Sequence, residues 1–280
     1  MASEICISDL SCFARMGRMF AIMTGYLDDN TVACGGWIAD GEAWANIQRR
    51  WLERIAYENR IQLLKGLKPI KRYHASDCAN CVNDFEGWDV PRQIRFTRRL
   101  LDIMASPPLT KRPMAFAFAV PLSELRSVAP ETPQTLLLRD AYSVAASRCL
   151  RDIGEVMRDY YSDERITCFH DSGKMFDAAL LAFRHEQKTC GQFISFAPID
   201  WQDCPLLQPA DMVAFDAFKV TNQRLHGNPD FQRRSLESLV ARTNPIFLGH
   251  FKPGVIAKDY GRWLQSRKEA ESEAEDDEEV

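Results

Sequence analysis

The first stretch with a clear pattern starts at Met19, where MFAIMTGYLDD is apolar on both alternating faces before closing in two acids. A strand covered on both sides has this signature, because successive side chains point to opposite faces of a sheet. After Asp29 and Asn30, TVACGGWIAD reads as a second strand, near enough to form an antiparallel hairpin with the first. The period then changes. Trp44, Ile47, Trp51, Leu52 and Ile55 recur at helical spacing, which predicts an amphipathic helix over 42–59 with a basic and polar outer face. A loop with Gly66 and Pro69 leads to RYHASDCANC, and a helix is expected from Pro91 to Met104, with proline accommodated in its first turn.

MAFAFAVPL (Met114 to Leu122) reads as a strand stopped at Pro121, and Thr135 to Tyr161 as the longest helix. RITCFHD (Arg165 to Asp171) is a short apolar strand ending in an acid, followed by a helix over Phe176 to Gln187. QFISFAPID is a last strand and PLLQPADMVAFDAFKVTNQRL a last well-defined helix. Strands first, then alternating helices and strands, predict an α/β fold: a mixed central sheet with helices packed on both faces.

With 46% hydrophobic and 26% charged residues, the chain has material for one large core. A single domain is expected over 18–267, between an irregular segment at 1–17 and a disordered acidic tail at 268–280. No apolar run approaches the roughly 18 uncharged residues of a membrane span, so no membrane association is expected. MASEICISDLSCFARMGRMF lacks a signal-peptide core, which points to the cytoplasm. Nine scattered cysteines then read as reduced thiols, mostly small core residues. The net charge of -4 is segregated: the run EAESEAEDDEEV carries eight acids, without which the body would stand at +4. A mildly basic body is compatible with a nucleic-acid partner, and the tail is a solubilising extension or a shield for a basic groove.

Three acids lie where packing alone would not put them. Asp28 and Asp171 each close an apolar strand, and strand ends in open α/β sheets are where crevices form. Asp211 falls on the same side of its helix as Leu207, Ala214 and Phe218, and a carboxylate beside an apolar stripe needs a hydrogen bond, a partner or a metal. Hard divalent cations such as Mg²⁺ take carboxylate oxygens, and two of them about 4 Å apart can position a water against a phosphodiester and stabilise the leaving oxygen. Strand-end aspartates also serve as turn residues and caps, and spacing does not show convergence.

GYLDDN, RYHASDC, FHDSGK and LLQPADMVAFDAF together resemble the signature blocks of the bacterial domain-of-unknown-function family 3800. That family typically shows a Tyr-x-Asp-Glu-Ser-Gly strand near its start and a Leu-Gln-x-Ala-Asp helix near its end. The resemblance covers about Phe20 to Lys219 and implies a ribonuclease H-like fold with a metal-dependent nuclease site. It makes Asp28 the first-strand acid, Asp171 the middle-strand acid and Asp211 the late-helix acid, together binding Mg²⁺ or Mn²⁺. Asp77 is the candidate fourth acid, ahead of Asp84 and Glu86, and His74 points toward the same site. The chain departs from the pattern at Asp29-Asn30-Thr31, where Glu-Ser-Gly is usual.

His74, Cys78 and Cys81 also invite a zinc reading, but the chain holds one Cys-x-x-Cys pair and no second pair to complete the ligands. His170 faces away from Asp171 by strand alternation, which favours a structural role. Arg49, Arg50, Arg54, Arg60, Lys65, Lys68, Lys71 and Arg72 precede the HASD segment, and Arg92, Arg95, Arg98 and Arg99 follow it. Such runs either track a phosphate backbone or are helix faces turned to water. The leading reading is a divalent-metal-dependent nuclease. Its rivals are a catalytically inactive ribonuclease H-like binding or regulatory module, and a metal-dependent hydrolase of a small phosphorylated substrate.

Overall fold

The hairpin forms as the pattern predicts, with β1 (Met19–Leu27) antiparallel to β2 (Thr31–Asp40). The computed structural model describes residues 19–242, 247–249, 256 and 258–265; the segments read as 1–17 and 268–280 lie outside them. β3 (Met114–Pro121) runs antiparallel along the other edge of β2, while β4 (Ile166–Asp171) and β5 (Phe193–Ile199) add in parallel beside β1. With β6 (Phe247–Gly249) parallel to β3, the sheet order is β5-β4-β1-β2-β3-β6. The fold is α/β with a mixed sheet.

Alternation along β1 explains its two-sided apolar run. Phe20 and Ile22 face a core shared with α1 (Gly41–Leu64), α3 (Val90–Met104) and α7 (Leu207–Leu225). Ala21 and Met23 face a second core, filled by α5 (Gln134–Tyr160) and α6 (Phe176–Thr189). Burying both faces removes the polar alternation a half-exposed strand would show. Three shorter α-helices are α2 (Ala75–Asn80), α4 (Leu122–Val128) and α8 (Arg234–Arg242).

Helix α1 begins where the Asp40 carboxylate accepts the Ala43 amide at 2.7 Å, satisfying one of the donors a helix start leaves open. It continues past residue 59 because its inner face goes on in polar but buried residues, Glu58 and Gln62. The Gln62 amide donates to the Lys68 and Asp84 carbonyls and accepts from Trp88 Nε1, so the apolar stripe ends before the packed face does. Asp89 caps α3 in the same way, accepting the Arg92 amide at 2.7 Å.

Two features of the sheet position the site. β1 and β4 are parallel neighbours paired Met23 to His170, so Thr24 and Asp171 stand side by side at the carboxyl ends. On β2, a Cβ at Gly35 would lie 3.0 Å from the Ala214 backbone, so α7 rests directly on the sheet where a side chain is missing. Small residues at Ala33, Ala117 and Ala119 keep the rest of that bed shallow. Among the described residues, no helix is long and apolar enough to cross a membrane.

Candidate functional site

Helix α7 starts with LQPAD, and each side chain there has a separate task. Leu207 and Ala210 are buried in the core, and the Pro209 carbonyl accepts Trp37 Nε1 at 2.8 Å. Buried Gln208 accepts from Trp51 Nε1 and from the Tyr73 amide, both at 2.9 Å, tying α1 and the segment before α2 to the helix. With that turn held, Asp211 projects into a cavity of about 140 Å³ at the carboxyl end of the sheet. Asp171, His74, Tyr26 and Arg72 line the same cavity, with Trp201 and Gln208 on its wall.

Asp211 keeps some exposure inside the cavity but lies under a deep shell of protein. Its Oδ2 accepts the Ala75 amide at 2.6 Å, which moors α2. Desolvation raises its pKa above the ordinary aspartate value, opposed by the neighbouring His74, the Ala75 amide, the Tyr26 hydroxyl and Arg72. Burial raises the Tyr26 phenol in turn, with the Asp211 charge adding to it, so the phenol stays protonated and able to donate. His74 bridges outward: Nε2 lies 3.2 Å from the Tyr26 hydroxyl, and Nδ1 lies 3.2 Å from Ser76 Oγ and 3.1 Å from Asp77 Oδ1. Asp77, His74, Tyr26 and Asp211 thus form one polar chain ending in the cavity.

Asp171 is half-buried at the end of β4. Desolvation raises its pKa as well, countered by the Gly173 amide, while nearby Asp200 raises it further and Arg72 lowers it. Arg72 therefore offsets both acids. Its guanidinium lies 4.4 Å from the centre of the Trp201 ring, a contact that orders a planar cation.

Asp28 does not line this cavity. Its Oδ1 accepts the Asn30 and Thr31 amides at 2.8 and 2.7 Å, closing the β1–β2 turn, and its Oδ2 accepts Asn222 Nδ2 of α7 at 2.6 Å. The aspartate itself closes the turn, and the bond to Asn222 occupies its other oxygen. Asp77 enters only through His74. Asp84 accepts the Lys71 amide at 2.8 Å and Glu86 lies 3.8 Å from Lys68, so both serve the loop. The zinc grouping does not form, because buried Cys78 points to Thr97 and His74 to Tyr26 and Asp77. His170 is buried on the opposite face, bonded to the Tyr142 hydroxyl at 2.6 Å.

Among the described residues no group of three or more His, Cys, Asp or Glu side chains is gathered to hold a metal ion. Two carboxylates in one polar cavity do suit a single hard cation that keeps waters and takes further ligands from a phosphate. They are too few for a closely spaced pair of ions, which needs one acid to bridge the pair and others to hold each ion. Sequence reasoning missed Tyr26, Trp201 and the bridging role of Gln208, and named Arg72 only as one of a basic run. Tyr26 had a usable signal, since alternation puts it on the same face of β1 as Ile22. Arg72 had its place beside the HASD segment, and Trp201 had no signal. No protein-family model matches the chain, and neither does any curated protein.

Proposed function

We propose that this protein is a ribonuclease H-like phosphodiester hydrolase, a divalent-metal-dependent nuclease whose two site carboxylates are Asp171 and Asp211. The observation that carries the reading is their convergence, from the end of β4 and the second turn of α7, in one cavity with Arg72 and His74. The sheet supports it: β1 to β3 antiparallel, then β4 and β5 parallel beside a central β1, is the arrangement expected of that fold, with the short β6 added at the far edge. Raised acids in a crevice at the carboxyl ends of strands are also a common mark of a working site.

Asp171 and Asp211 would hold one Mg²⁺ or Mn²⁺, which when bound supplies polarisation of a phosphoryl oxygen and activation of a water. The chain's own groups do the rest. Arg72, braced on Trp201, offers a fixed cation to phosphate oxygens. Tyr26, held by His74 and Asp77 behind it, donates to Asp211 and fixes the direction of its carboxylate. A cytoplasmic location fits the seven free cysteines among the described residues.

A second reading, a catalytically inactive binding module, is favoured by one observation: Asp28 is committed to the turn and to Asn222, leaving two acids in the cavity. Calorimetric titration with Mg²⁺ and Mn²⁺, run beside hydrolysis of labelled RNA, DNA and hybrid strands, separates the two. The nuclease reading expects metal binding and cleavage in the wild type. Asp171→Asn and Asp211→Asn should each lose at least the ~10- to 100-fold typical of disturbing even an outer metal partner. Metal-independent behaviour of all three proteins, with no cleavage, would leave the binding module standing.

A further inference from the structure

A groove of about 720 Å³ runs between α1 and α3, on a part of the surface that shares no residue with the acid-lined cavity. Seven basic and two acidic side chains line it, a formal +5 on one small surface of a chain whose net charge is -4. The two acids do not cancel the cations but hold them in place. Buried Glu58 binds both Arg54 and Arg92, the second at 3.4 Å, and Asp102 binds both Arg99, at 3.7 Å, and Arg242. Aromatic rings brace the same guanidinium groups: Arg92 lies 4.1 Å from the Trp88 ring centre, and Arg54 4.9 Å from Tyr57 and 5.8 Å from Phe96. Long side chains fixed by stacking and shared carboxylates have already given up most of the rotamer freedom that binding would otherwise cost.

Lys65, Arg95 and Arg98 are exposed and form no ion pair among the described residues. Arg98 also lines an adjoining cavity of about 270 Å³, which bears exposed Arg234, so the positive strip continues beyond the first groove. A face of solvated helix residues would mix signs and leave its arginines mobile. This one is single-signed at its rim and rigid at its floor, which suits a repeating line of negative charge. Planar guanidinium forks match phosphate oxygens in pairs, and among the described residues no Asn, Gln, Ser or Thr stands beside them in the lining to read base edges.

We propose that the α1–α3 groove binds the phosphodiester backbone of a nucleic acid without sequence preference, presenting the strand to the protein. The proposal builds on the nuclease reading by naming where its substrate is held, but its test needs no catalysis. The full-length protein is titrated into a fluorescein-labelled oligonucleotide in EDTA at several salt concentrations, with anisotropy as the readout. The wild type should bind, with affinity falling steeply as salt rises. Lys65→Glu/Arg95→Glu/Arg98→Glu should weaken binding at least tenfold at low salt. A milder Lys65→Gln/Arg95→Gln/Arg98→Gln protein, checked for native circular dichroism, should flatten the salt slope by roughly 0.7 to 0.9 for each phosphate left without its cation. Arg158→Glu, an exposed charge on α5, should match the wild type.

Equal affinity and equal slope in the wild type and both triple variants would overturn the groove, as would no binding by the wild type at low salt. Binding that depends on the groove, without cleavage when Mg²⁺ is added, would sustain the groove and sink the nuclease reading. Cleavage that survives with unaltered binding in the groove variants would do the reverse.

Discussion

His170 shows how much one side chain can depend on its surroundings. It is buried, bonded at Nε2 to Tyr142 and at Nδ1, 2.6 Å away, to the Asp171 carbonyl, and burial lowers its pKa from 6.5 to about 4. A base whose folded value is depressed stays neutral in the native state while the unfolded chain takes up its proton. Its linkage is therefore absent above pH 6.5 and destabilises the fold progressively as pH falls toward 4, by at most about 3 kcal/mol. Asp152, which burial raises to about 6, acts in the opposite direction between about 6 and 3.8. A comparison of variants isolates the histidine: the stability gap between wild type and His170→Gln in urea unfolding should narrow as pH drops from 6.5 to 4. A constant gap would mean that the histidine is not held neutral. At the turn, Asp28→Asn keeps the shape of the side chain but weakens both its amide contacts and its bond to Asn222. A loss of about 1 to 2 kcal/mol is expected, with metal titration unchanged. A loss of metal binding instead would return Asp28 to the site.

Among the elements, α7 decides the most. It carries Asp211 at its start and Asn222 near its end, and it lies on β2 at Gly35, where a side chain would meet the Ala214 backbone. Helices usually rest on a layer of side chains, so contact with a glycine brings this one closer to the sheet. The acid in its second turn is thereby lowered to the level of the end of β4. Gly35→Val should cost about 1 to 3 kcal/mol or more through overpacking. It should also lift α7 and weaken metal binding more than the stability loss alone explains. A calorimetric titration at a temperature where the variant remains folded checks this; unaltered affinity would separate the packing of α7 from the placement of Asp211.

At the scale of the whole molecule, charge is unevenly spread. The eight acids after Lys268 oppose a body of +4 that carries the α1–α3 groove. Truncation after Lys268 should tighten oligonucleotide binding at low salt, with the difference fading toward 1 M, where screening acts within about 3 Å. The melting temperature should hardly change, because an acid-only run has little apolar surface to bury. An equal affinity at low salt would show that the acids and the groove do not sense one another.

Most elements were legible because each writes its own period into the chain. The two-sided apolar run at Met19 marked a strand buried on both faces, and the tryptophans of α1 marked its inner face. The LQPAD turn stood out because its acid interrupts an apolar stripe. Where periodicity failed, the reason was physical. α1 outran its stripe because Glu58 and Gln62 are buried through hydrogen bonds rather than through apolarity, and β6 is too short to show a period. Periodicity also reports only which way a side chain leaves its own element, not what meets it. Asp28 and Asp211 read alike as acids at the edges of apolar segments. Only the tertiary structure gave one to Asn222, 194 positions away, and the other to a cavity shared with Asp171, Arg72 and His74. Those pairings depend on the parallel placement of β4 beside β1 and on the close seat of α7. No local pattern encodes either, since both are set by how distant segments exclude water together.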